Sequence, residues 1–382
     1  MKGTATIEKI VSGGWGLAHH EGRTVFIQYA AAGDVVEFSI TKEKKKCLFG
    51  RIDRIVEPSK LRSRPDCPVF TVCGGCHMQH MSYEDELNIK KEILLENLHR
   101  IGKIRTTLDS AIPSPDRFGY RNHTVFNVDG EGRAGFLESG SSSVVPFPEG
   151  GCRLLPTQMR ESIEALPPDE LPPGGEVRVR MDRFGAVHFW GLAGKPGPPD
   201  CLMEAGGFLF PVSPASFFQT NRLLNDRLID LVLSMQPKVG RKLLDLYCGS
   251  GFFTLPLSKL AIEAVGIERD PGAVANATAS LRLNKISNVR FRKGPVEREI
   301  YRMKDIDRIL ADPPRSGIPE KAIRGMLRLK PRELILVSCD PPTFARDAAR
   351  FIESGYLLSQ IHMIDMFPGT YHMEAAALFK KN

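Results

Sequence analysis

The clearest alternation of apolar and polar positions lies in the carboxy-terminal part of the chain. Short apolar runs at residues 242–247, 264–268, 288–292, 308–311, 333–338 and 375–379 are predicted strands. Apolar residues recur at helical spacing between them, and Asp270-Pro271 and Pro319 are typical helix starts. Strands that alternate with helices predict an α/β domain with a doubly wound, Rossmann-like sheet, and we expect it to span residues 213–382.

The amino-terminal residues show a different pattern. Predicted strands at residues 4–10, 23–27, 34–41 and 48–56 are separated by glycine-rich turns, which is typical of a small closed, OB-like β-barrel over residues 1–57. Phe26 and Phe49 offer stacking faces, and basic residues cluster near the end of the barrel: Lys42, Lys44, Lys45, Lys46, Arg51 and Arg54. This mixture favours single-stranded RNA as a partner, although a lysine run is also common at a solvated hairpin tip.

The intervening residues, 58–212, are predicted to form a central, mostly β domain rich in proline and glycine. A helix at residues 82–101 begins with Ser82 and Asp85 as a capping box, and we expect it to pack on the carboxy-terminal domain. Arg121 is a candidate substrate-binding residue within the polar and aromatic stretch 120–123, and an ordinary surface role is equally consistent with the sequence.

Length and composition set limits on these interpretations. A chain of 382 residues exceeds the usual size of one core, so two or three domains are expected. No apolar run is long enough to cross a bilayer, and the first residues lack the apolar core of a signal peptide, so we expect a cytoplasmic protein. The net charge of +7 permits a polyanionic partner. In that compartment the eight cysteines favour metal binding or catalysis over disulfides.

Three of the cysteines fall within ten positions. Cys67, Cys73 and Cys76 surround two glycines that let the backbone fold tightly, and Cys152 is the natural fourth ligand. The usual zinc pattern of two C-x2-C pairs is absent, which favours an iron-sulfur cluster. A Cys3His zinc site that uses His77 or His80 is the alternative.

The carboxy-terminal domain contains two candidate ligand-binding turns. Gly249 and Gly251 follow the first predicted strand, and Glu268 ends the next, an arrangement that suits the ribose of either NAD or S-adenosylmethionine. The third glycine of a dinucleotide-binding loop is missing, which favours S-adenosylmethionine. Asp312-Pro313-Pro314 forms a second, stiff turn at the same predicted sheet edge.

Cys339 follows another predicted strand and therefore belongs to this edge. A thiolate there suits addition to C6 of a pyrimidine, which makes C5 nucleophilic towards a methyl donor. The C5 proton must then be removed by a base, and Glu374, just before the last predicted strand, is the candidate. The pyrimidine would have to leave its RNA stack to reach the thiol. The alternative for Cys339 is a small buried apolar residue.

Taken together, six segments resemble the S-adenosylmethionine-dependent RNA uridine-C5 methyltransferases that carry a 4Fe-4S cluster. They are CPVFTVCGGC at 67–76 with the distant Cys152, SFFQTN at 216–221, DLYCGSG at 245–251, ADPPRSG at 311–317, VSCDPPTFARD at 337–347 and HMEAAALF at 372–379. The amino-terminal barrel resembles the TRAM domain of the ribosomal RNA branch of that family.

The resemblance implies a role for each matching position. Cys67, Cys73, Cys76 and Cys152 match the cluster ligands; Gln219, Tyr247, Glu268 and Asp312 match cofactor-binding positions; Cys339 matches the nucleophile and Glu374 the base. Three positions depart from the family pattern: Phe252, Pro295 and Asp340. Asp340 stands where the family usually has asparagine, and its charge opposes formation of the Cys339 thiolate unless a cation offsets it.

The expected activity is methyl transfer from S-adenosylmethionine to C5 of a uridine, most simply in 23S ribosomal RNA. A transfer RNA is the alternative substrate for the same chemistry. A third hypothesis is an inactive RNA-binding iron-sulfur protein. Cys339, Asp312 and Glu374 occur together, which argues against it because a scaffold needs none of the three.

Overall fold

The amino-terminal residues form one six-stranded sheet. The structure is a computed structural model, and it describes residues 2–235 and 241–381. The strands are β1 (Lys2–Thr6), β2 (Lys9–Val11), β3 (Trp15–His20), β4 (Arg23–Ile27), β5 (Val35–Lys44) and β6 (Cys47–Glu57), in the order β1-β5-β6-β4-β3-β2. The two edge strands follow each other in the chain, so the sheet curls into a barrel. The prediction of one strand over residues 4–10 is wrong, because the chain breaks there into β1 and β2, and β3 was not predicted.

The predicted long helix is α1 (Tyr83–Arg100), and Ser82 caps it by accepting a hydrogen bond from the Asp85 backbone N–H. Ile93, Leu94 and Leu98 are buried in a core shared with the barrel and with the carboxy-terminal domain. Ile101, the last residue of the predicted range, is exposed because the helix has already ended at Arg100.

The central region is mostly β, as predicted, and its strands pair in antiparallel fashion. It contains β8 (His123–Val128), β9 (Ala134–Leu137), β10 (Val144–Pro146), α2 (Thr157–Glu164), β11 (Glu176–Met181) and β12 (Val187–Trp190). The sheet order is β10-β9-β8-β11-β12, and a separate hairpin of β13 (Cys201–Ala205) and β14 (Phe208–Val212) follows. A small apolar core that includes Phe126, Val177 and Val179 lies under this sheet.

The carboxy-terminal domain is an eight-stranded sheet with helices on its faces. Its strands are β7 (Ser110–Ile112), β15 (Arg241–Leu246), β16 (Ala261–Glu268), β17 (Val289–Lys293), β18 (Arg308–Ala311), β19 (Glu333–Ser338), β20 (Tyr356–Ile364) and β21 (Glu374–Lys381). The helices are α3 (Asn225–Ser234), α4 (Thr254–Ser258), α5 (Pro271–Leu283), α6 (Val296–Glu299), α7 (Glu320–Arg328) and α8 (Pro341–Glu353). The order β17-β16-β15-β18-β19-β21-β20-β7 is parallel from β17 to β19, and β21 is antiparallel to both of its neighbours.

Two strands of this sheet were missed from the sequence. β20 alternates polar and apolar residues, LLSQIHMI, and lacks the continuous apolar run of its neighbours because it lies near the sheet edge. The edge itself is β7 (Ser110–Ile112), which was assigned to the central region but pairs in parallel with β20. Within the described residues, no helix combines the length and apolarity needed to cross a membrane.

Candidate active site

The site lies at the carboxyl edge of the parallel strands, where β15 turns into α4. Tyr247, Gly249 and Gly251 have positive φ values of 63°, 53° and 88°. A Cβ atom at Gly251 would lie 2.6 Å from Leu255 Cδ1, so glycine is needed for the loop to close on its helix. The backbone N–H of Gly249 donates to Glu268 Oε2 at 3.1 Å, which fixes the glutamate beside the loop.

A cleft of about 1050 Å³ opens above this loop. It is lined by five of the six predicted cofactor-binding residues, Gln219, Tyr247, Gly249, Glu268 and Asp312, together with Cys339, Glu374 and Arg121. Gly251 does not line the cleft; it allows the loop to pack against helix α4. The sequence motifs are therefore brought together from the carboxyl ends of four strands, the first residue of β21 and one preceding loop.

Asp312 lies under the cleft on the turn after β18. Gln219 Nε2 donates to Asp312 Oδ2 at 3.4 Å, and burial raises the pKa of Asp312 to about 7. A carboxylate with a raised pKa gains from a cationic ligand, since burial has removed the water that would otherwise stabilise its charge. The arrangement suits the positively charged donor S-adenosylmethionine.

Cys339 and Glu374 stand opposite each other across the β19–β21 pair. Ser338 pairs with Ala375 in antiparallel register, and the next position along this register brings Cys339 opposite Glu374. Side chains at opposed positions of antiparallel strands lie on the same face of the sheet, and both line the cleft. Glu374 had been expected on a loop, but it is the first residue of β21 and only 4% exposed.

The environment of this pair is apolar and acidic. Burial, followed by the charges of Glu374 and Asp312, raises the pKa of the Cys339 thiol to about 12, whereas Arg315 acts to lower it. Burial and the charge of Asp312 raise the pKa of Glu374 well above its ordinary value. Glu374 Oε2 is buried and has no hydrogen-bond partner among the described residues. A carboxylate in such a setting is a stronger base than one in water.

Two further residues of the cleft were not found from the sequence. Arg315 follows the Asp312 turn, and His372 precedes Glu374 by two positions. Arg315 Nη2 lies 3.1 Å from His372 Nε2. Both residues lie within the quoted motifs. Their closeness in the sequence to Asp312 and Glu374 was the feature that could have indicated them as cleft residues.

The four predicted cluster cysteines line a second cavity, of about 660 Å³, beside the cleft: Cys67, Cys73, Cys76 and Cys152. Gly75 N–H donates to Cys73 Sγ at 3.4 Å, and Gln79 Nε2 donates to Cys76 Sγ at 3.1 Å. Burial is the main cause that raises the pKa of Cys76 to about 12 and that of Cys152 to about 11. In the described part of the chain, no group of three or more His, Cys, Asp and Glu residues is arranged to hold a metal ion.

The histidines proposed as alternative zinc ligands lie outside this lining. His77 packs against Tyr371 with ring centroids 4.6 Å apart and faces the catalytic cleft. His80 stacks on Phe70, and its Nε2 lies 3.1 Å from the carbonyl oxygen of Ala30. Neither imidazole therefore lines the cavity of the four cysteines, so the structure lends the Cys3His alternative no support.

Arg121 lines both cavities. Its Nε atom is buried without a hydrogen-bond partner among the described residues. Its guanidinium interacts with Tyr120 and then with the sulfurs of Cys152 and Cys76. Arg121 therefore forms part of the wall between the cysteines and the cleft.

The comparisons with known proteins agree with this geometry. The family of tRNA (Uracil-5-)-methyltransferases matches residues 204–382, and the TRAM domain family matches residues 3–52. The chain is 31% identical to an RNA methyltransferase of Aquifex aeolicus, over 98% of this chain and 97% of the relative. It is also 31% identical to the 23S rRNA (uracil(1939)-C(5))-methyltransferase RlmD of Pseudomonas putida, over 98% of this chain and 92% of the relative.

Among solved structures, the fold is similar to that of the tRNA (uracil-54, C5)-methyltransferase of Pyrococcus abyssi in complex with S-adenosyl-L-homocysteine. The TM-score is 0.77 at 22% identity, and the match covers 98% of this chain and 99% of that one.

The domain is an α/β sheet with a glycine-containing turn and an acidic cleft at its carboxyl edge, and a TRAM domain precedes it. This combination defines a class I methyltransferase that acts on RNA. The chain belongs to the family of S-adenosylmethionine-dependent RNA uracil-C5 methyltransferases.

Proposed function

We propose that the enzyme methylates C5 of a uridine in 23S ribosomal RNA, with Cys339 as nucleophile and Glu374 as base. The observation that carries the proposal is the register of β19 and β21, which sets the thiol and the carboxylate opposite each other on one wall of the cleft. The relatives named for 23S ribosomal RNA are 31% identical over nearly the whole chain, whereas the transfer RNA enzyme of known structure is 22% identical over a similar length, which supports ribosomal RNA over transfer RNA. A ribosomal substrate also suits the expected cytoplasmic location.

The reaction begins with loss of the Cys339 thiol proton to solvent, which leaves Glu374 ionised for the later step. The thiolate then attacks C6 of the uracil, and the electron pair of the C5–C6 double bond passes through C4 to its oxygen. S-adenosylmethionine, when bound, supplies the electrophilic methyl group that C5 acquires. Glu374 next takes the proton from C5; the C5–C6 double bond re-forms, and the thiolate of Cys339 is expelled.

Five cleft residues are proposed to hold the methyl donor. Glu268 is positioned by the Gly249 N–H and suits the ribose hydroxyls, while Asp312 and Gln219 form a hydrogen-bonded pair in the same cleft. Tyr247 begins the turn in a left-handed conformation that sets the path of the backbone.

We also propose that Cys67, Cys73, Cys76 and Cys152 bind a 4Fe-4S cluster. Two N–H groups already donate to cysteine sulfurs, and the Arg121 charge faces them, as an anionic set of thiolates requires. The chain lacks the second C-x2-C pair of a usual zinc site, which favours a cluster over a single zinc ion. All four cysteines line one cavity, and four thiolates are the ligand set that such a cluster requires.

The barrel is proposed to guide the RNA towards the cleft. Phe26 and Phe49 pack with centroids 5.5 Å apart, and Lys44 Nζ lies 5.1 Å from the Phe49 ring centre, so stacking and charge occur together. The barrel also touches the active site, because a Cβ at Gly14 would lie 3.2 Å from Tyr371 Cβ. The proposed limits are 1–57 for the barrel, 58–212 for an iron-sulfur domain and 213–382 for the catalytic domain, with β7 joining the catalytic sheet.

The test is methyl transfer from labelled S-adenosylmethionine, by anaerobically purified protein, to unmodified ribosomal RNA and separately to unmodified transfer RNA. Mass spectrometry of the nucleosides should find 5-methyluridine only in the ribosomal pool. Methylation of the transfer RNA alone would replace the proposed substrate. Absence of 5-methyluridine from both pools, despite cofactor binding, would contradict the roles of Cys339 and Glu374.

A further inference from the structure

Arg315 connects three of the segments that build the cleft: the Asp312 turn, the segment of Cys339 and the segment of Glu374. It follows the Asp312 turn, and its backbone carbonyl accepts a hydrogen bond from Thr343 Oγ1 at 3.3 Å. Thr343 is in the first turn of α8, directly after Cys339. The guanidinium of Arg315 reaches the other way to His372, beside Glu374. Arg315 is thus anchored to the segment of the thiol at one end and to that of the carboxylate at the other.

His372 orients the guanidinium as a neutral acceptor. Its ring is packed against Tyr371, with centroids 4.0 Å apart, and against Phe367 at 5.9 Å. Burial, followed by the neighbouring charge of Arg315, lowers the pKa of His372 to about 3, so the ring is uncharged at neutral pH. Arginine has only donors, so Nε2 of His372 must accept and the imidazole proton lies on Nδ1.

The charges that act on Cys339 are otherwise acidic. Glu374, Asp312 and Asp340 all oppose a negative charge on its sulfur, and Arg315 is the cation among the groups that act on it. Asp340 itself caps α8, since its Oδ1 accepts from the Thr343 backbone N–H at 2.9 Å. This contact explains why an acidic residue is stabilised beside the nucleophile: its charge faces a helix N-terminus. Helix capping by Asp340 does not remove the need for a cation near the Cys339 sulfur.

We propose that Arg315 is a positioning residue that stabilises the thiolate of Cys339 through its charge, and that His372 holds the guanidinium in the orientation this requires. The proposal rests on the assignment of Cys339 as nucleophile. It also supplies the cation that offsets Asp340. Arg315 and His372 enter the reaction through the thiolate and exchange no proton with the uracil.

The test measures the thiol directly, without RNA or cofactor. The full-length protein is treated with iodoacetamide between pH 6 and pH 10, and the alkylation rate of the peptide that contains Cys339 is followed by mass spectrometry. Arg315→Gln should lower this rate at pH 8 about tenfold, the change in thiolate fraction that one unit of pKa produces. The alkylation rate of Arg315→Lys should fall between those of the wild type and Arg315→Gln, because lysine keeps the charge but lacks the planar guanidinium. Asp340→Asn should change the rate in the opposite direction, since it removes an anion and can still cap the helix.

Two further variants test the part played by His372. His372→Phe keeps a ring but removes the acceptor, and should reproduce part of the Arg315→Gln loss; His372→Gln retains an acceptor oxygen and should restore the rate. The matched control is Arg269→Gln, an arginine that lines the same cleft but is not among the main charges acting on Cys339. Its alkylation profile should follow that of the wild type.

The proposal is overturned if Arg315→Gln and His372→Phe both leave the Cys339 profile within twofold of the wild type, even if methyl transfer is lost. If Arg315→Gln does not fold, as judged by circular dichroism, Arg315→Lys and His372→Phe decide the question by the same criterion. Because the assay contains no RNA, it separates a failure of this proposal from a failure to find 5-methyluridine.

Discussion

The ammonium of Lys90 lies 2.7 Å from the carboxylate of Asp365, and both side chains are fully buried. Lys90 also contacts Glu86 Oε1 at 2.7 Å, and Glu86 Oε1 accepts from the backbone N–H of Gly369 at 2.7 Å. Helix α1 is thereby fixed to the loop at residues 365–373, which leads into the β-strand of Glu374. The helix predicted only to pack therefore carries an ionic network that positions one wall of the active site.

Lys90→Met should strongly destabilise the protein. The substitution removes the cation that pairs with the buried carboxylates of Glu86 and Asp365. A loss of about 3–5 kcal/mol in the free energy of unfolding is expected. Lys91→Met is the matched control: the Lys91 ammonium donates to Asn88 in an exposed contact, so a change within about 0.5 kcal/mol is expected. Urea denaturation of both variants tests this. Equal stabilities would show that the network contributes little.

Replacement of one cluster cysteine should abolish iron binding. Cys76→Ser removes a proposed cluster ligand whose sulfur accepts from Gln79, and anaerobically purified protein should lose its iron, its acid-labile sulfide and its visible absorbance together. Cys47→Ser, a substitution in strand β6 of the barrel, should retain all three. Full iron content in Cys76→Ser would contradict the proposed ligand set.

Affinity for S-adenosylmethionine should increase with pH. The pKa of Asp312 is about 7, raised by burial, so its carboxyl group is mostly neutral at pH 6 and mostly ionised at pH 8. The cationic sulfonium favours the ionised form, and calorimetry should give a dissociation constant about tenfold lower at pH 8 than at pH 6. S-adenosylhomocysteine, which lacks that charge, should show a smaller change. Asp312→Asn should bind weakly with a flat profile; an unchanged pH dependence in this variant would assign the titration to another group.

The aromatic face of the barrel should contribute to RNA binding. Phe49→Ala is expected to weaken binding of ribosomal RNA by about 1–3 kcal/mol if one base stacks there. Phe184→Ala provides the control, because Phe184 is 74% exposed and beside a basic residue, Arg183, but lies in the central region. Filter binding at several salt concentrations measures both variants. Equal losses would indicate a non-specific effect of removing surface aromatic residues.

The sequence predicted those parts of the fold that local pattern determines. Buried parallel strands such as β18 and β19 are continuous apolar runs, and the structure places both at the predicted bounds. β20 was missed because polar residues interrupt its apolar run, and β7 because a three-residue strand acquires its identity only from its partner. Strand pairing is a tertiary property that the local pattern does not contain.

The same division applies to the site. Cys339, Asp312 and Glu374 stand in motifs with a definite position at the sheet edge, so their convergence in one cleft was predictable. The contact of Arg315 with His372 joins residues 57 positions apart, and the Lys90–Asp365 pair joins residues 275 apart. Such contacts depend on how the loops cross above the sheet, and a charged residue on a helix gives no sign that it will be buried.

The central claim is that Cys339 adds to the uracil and Glu374 later removes the C5 proton. The most direct measurement incubates Glu374→Gln with S-adenosylmethionine and unmodified ribosomal RNA, and looks for a denaturation-resistant protein–RNA species. Without the base, the methylated adduct cannot expel the thiolate, so the account predicts that this species accumulates and that mass spectrometry locates the link at Cys339. Cys339→Ala/Glu374→Gln should form none. Wild-type yields of 5-methyluridine from Glu374→Gln, or a link at another residue, would contradict the account.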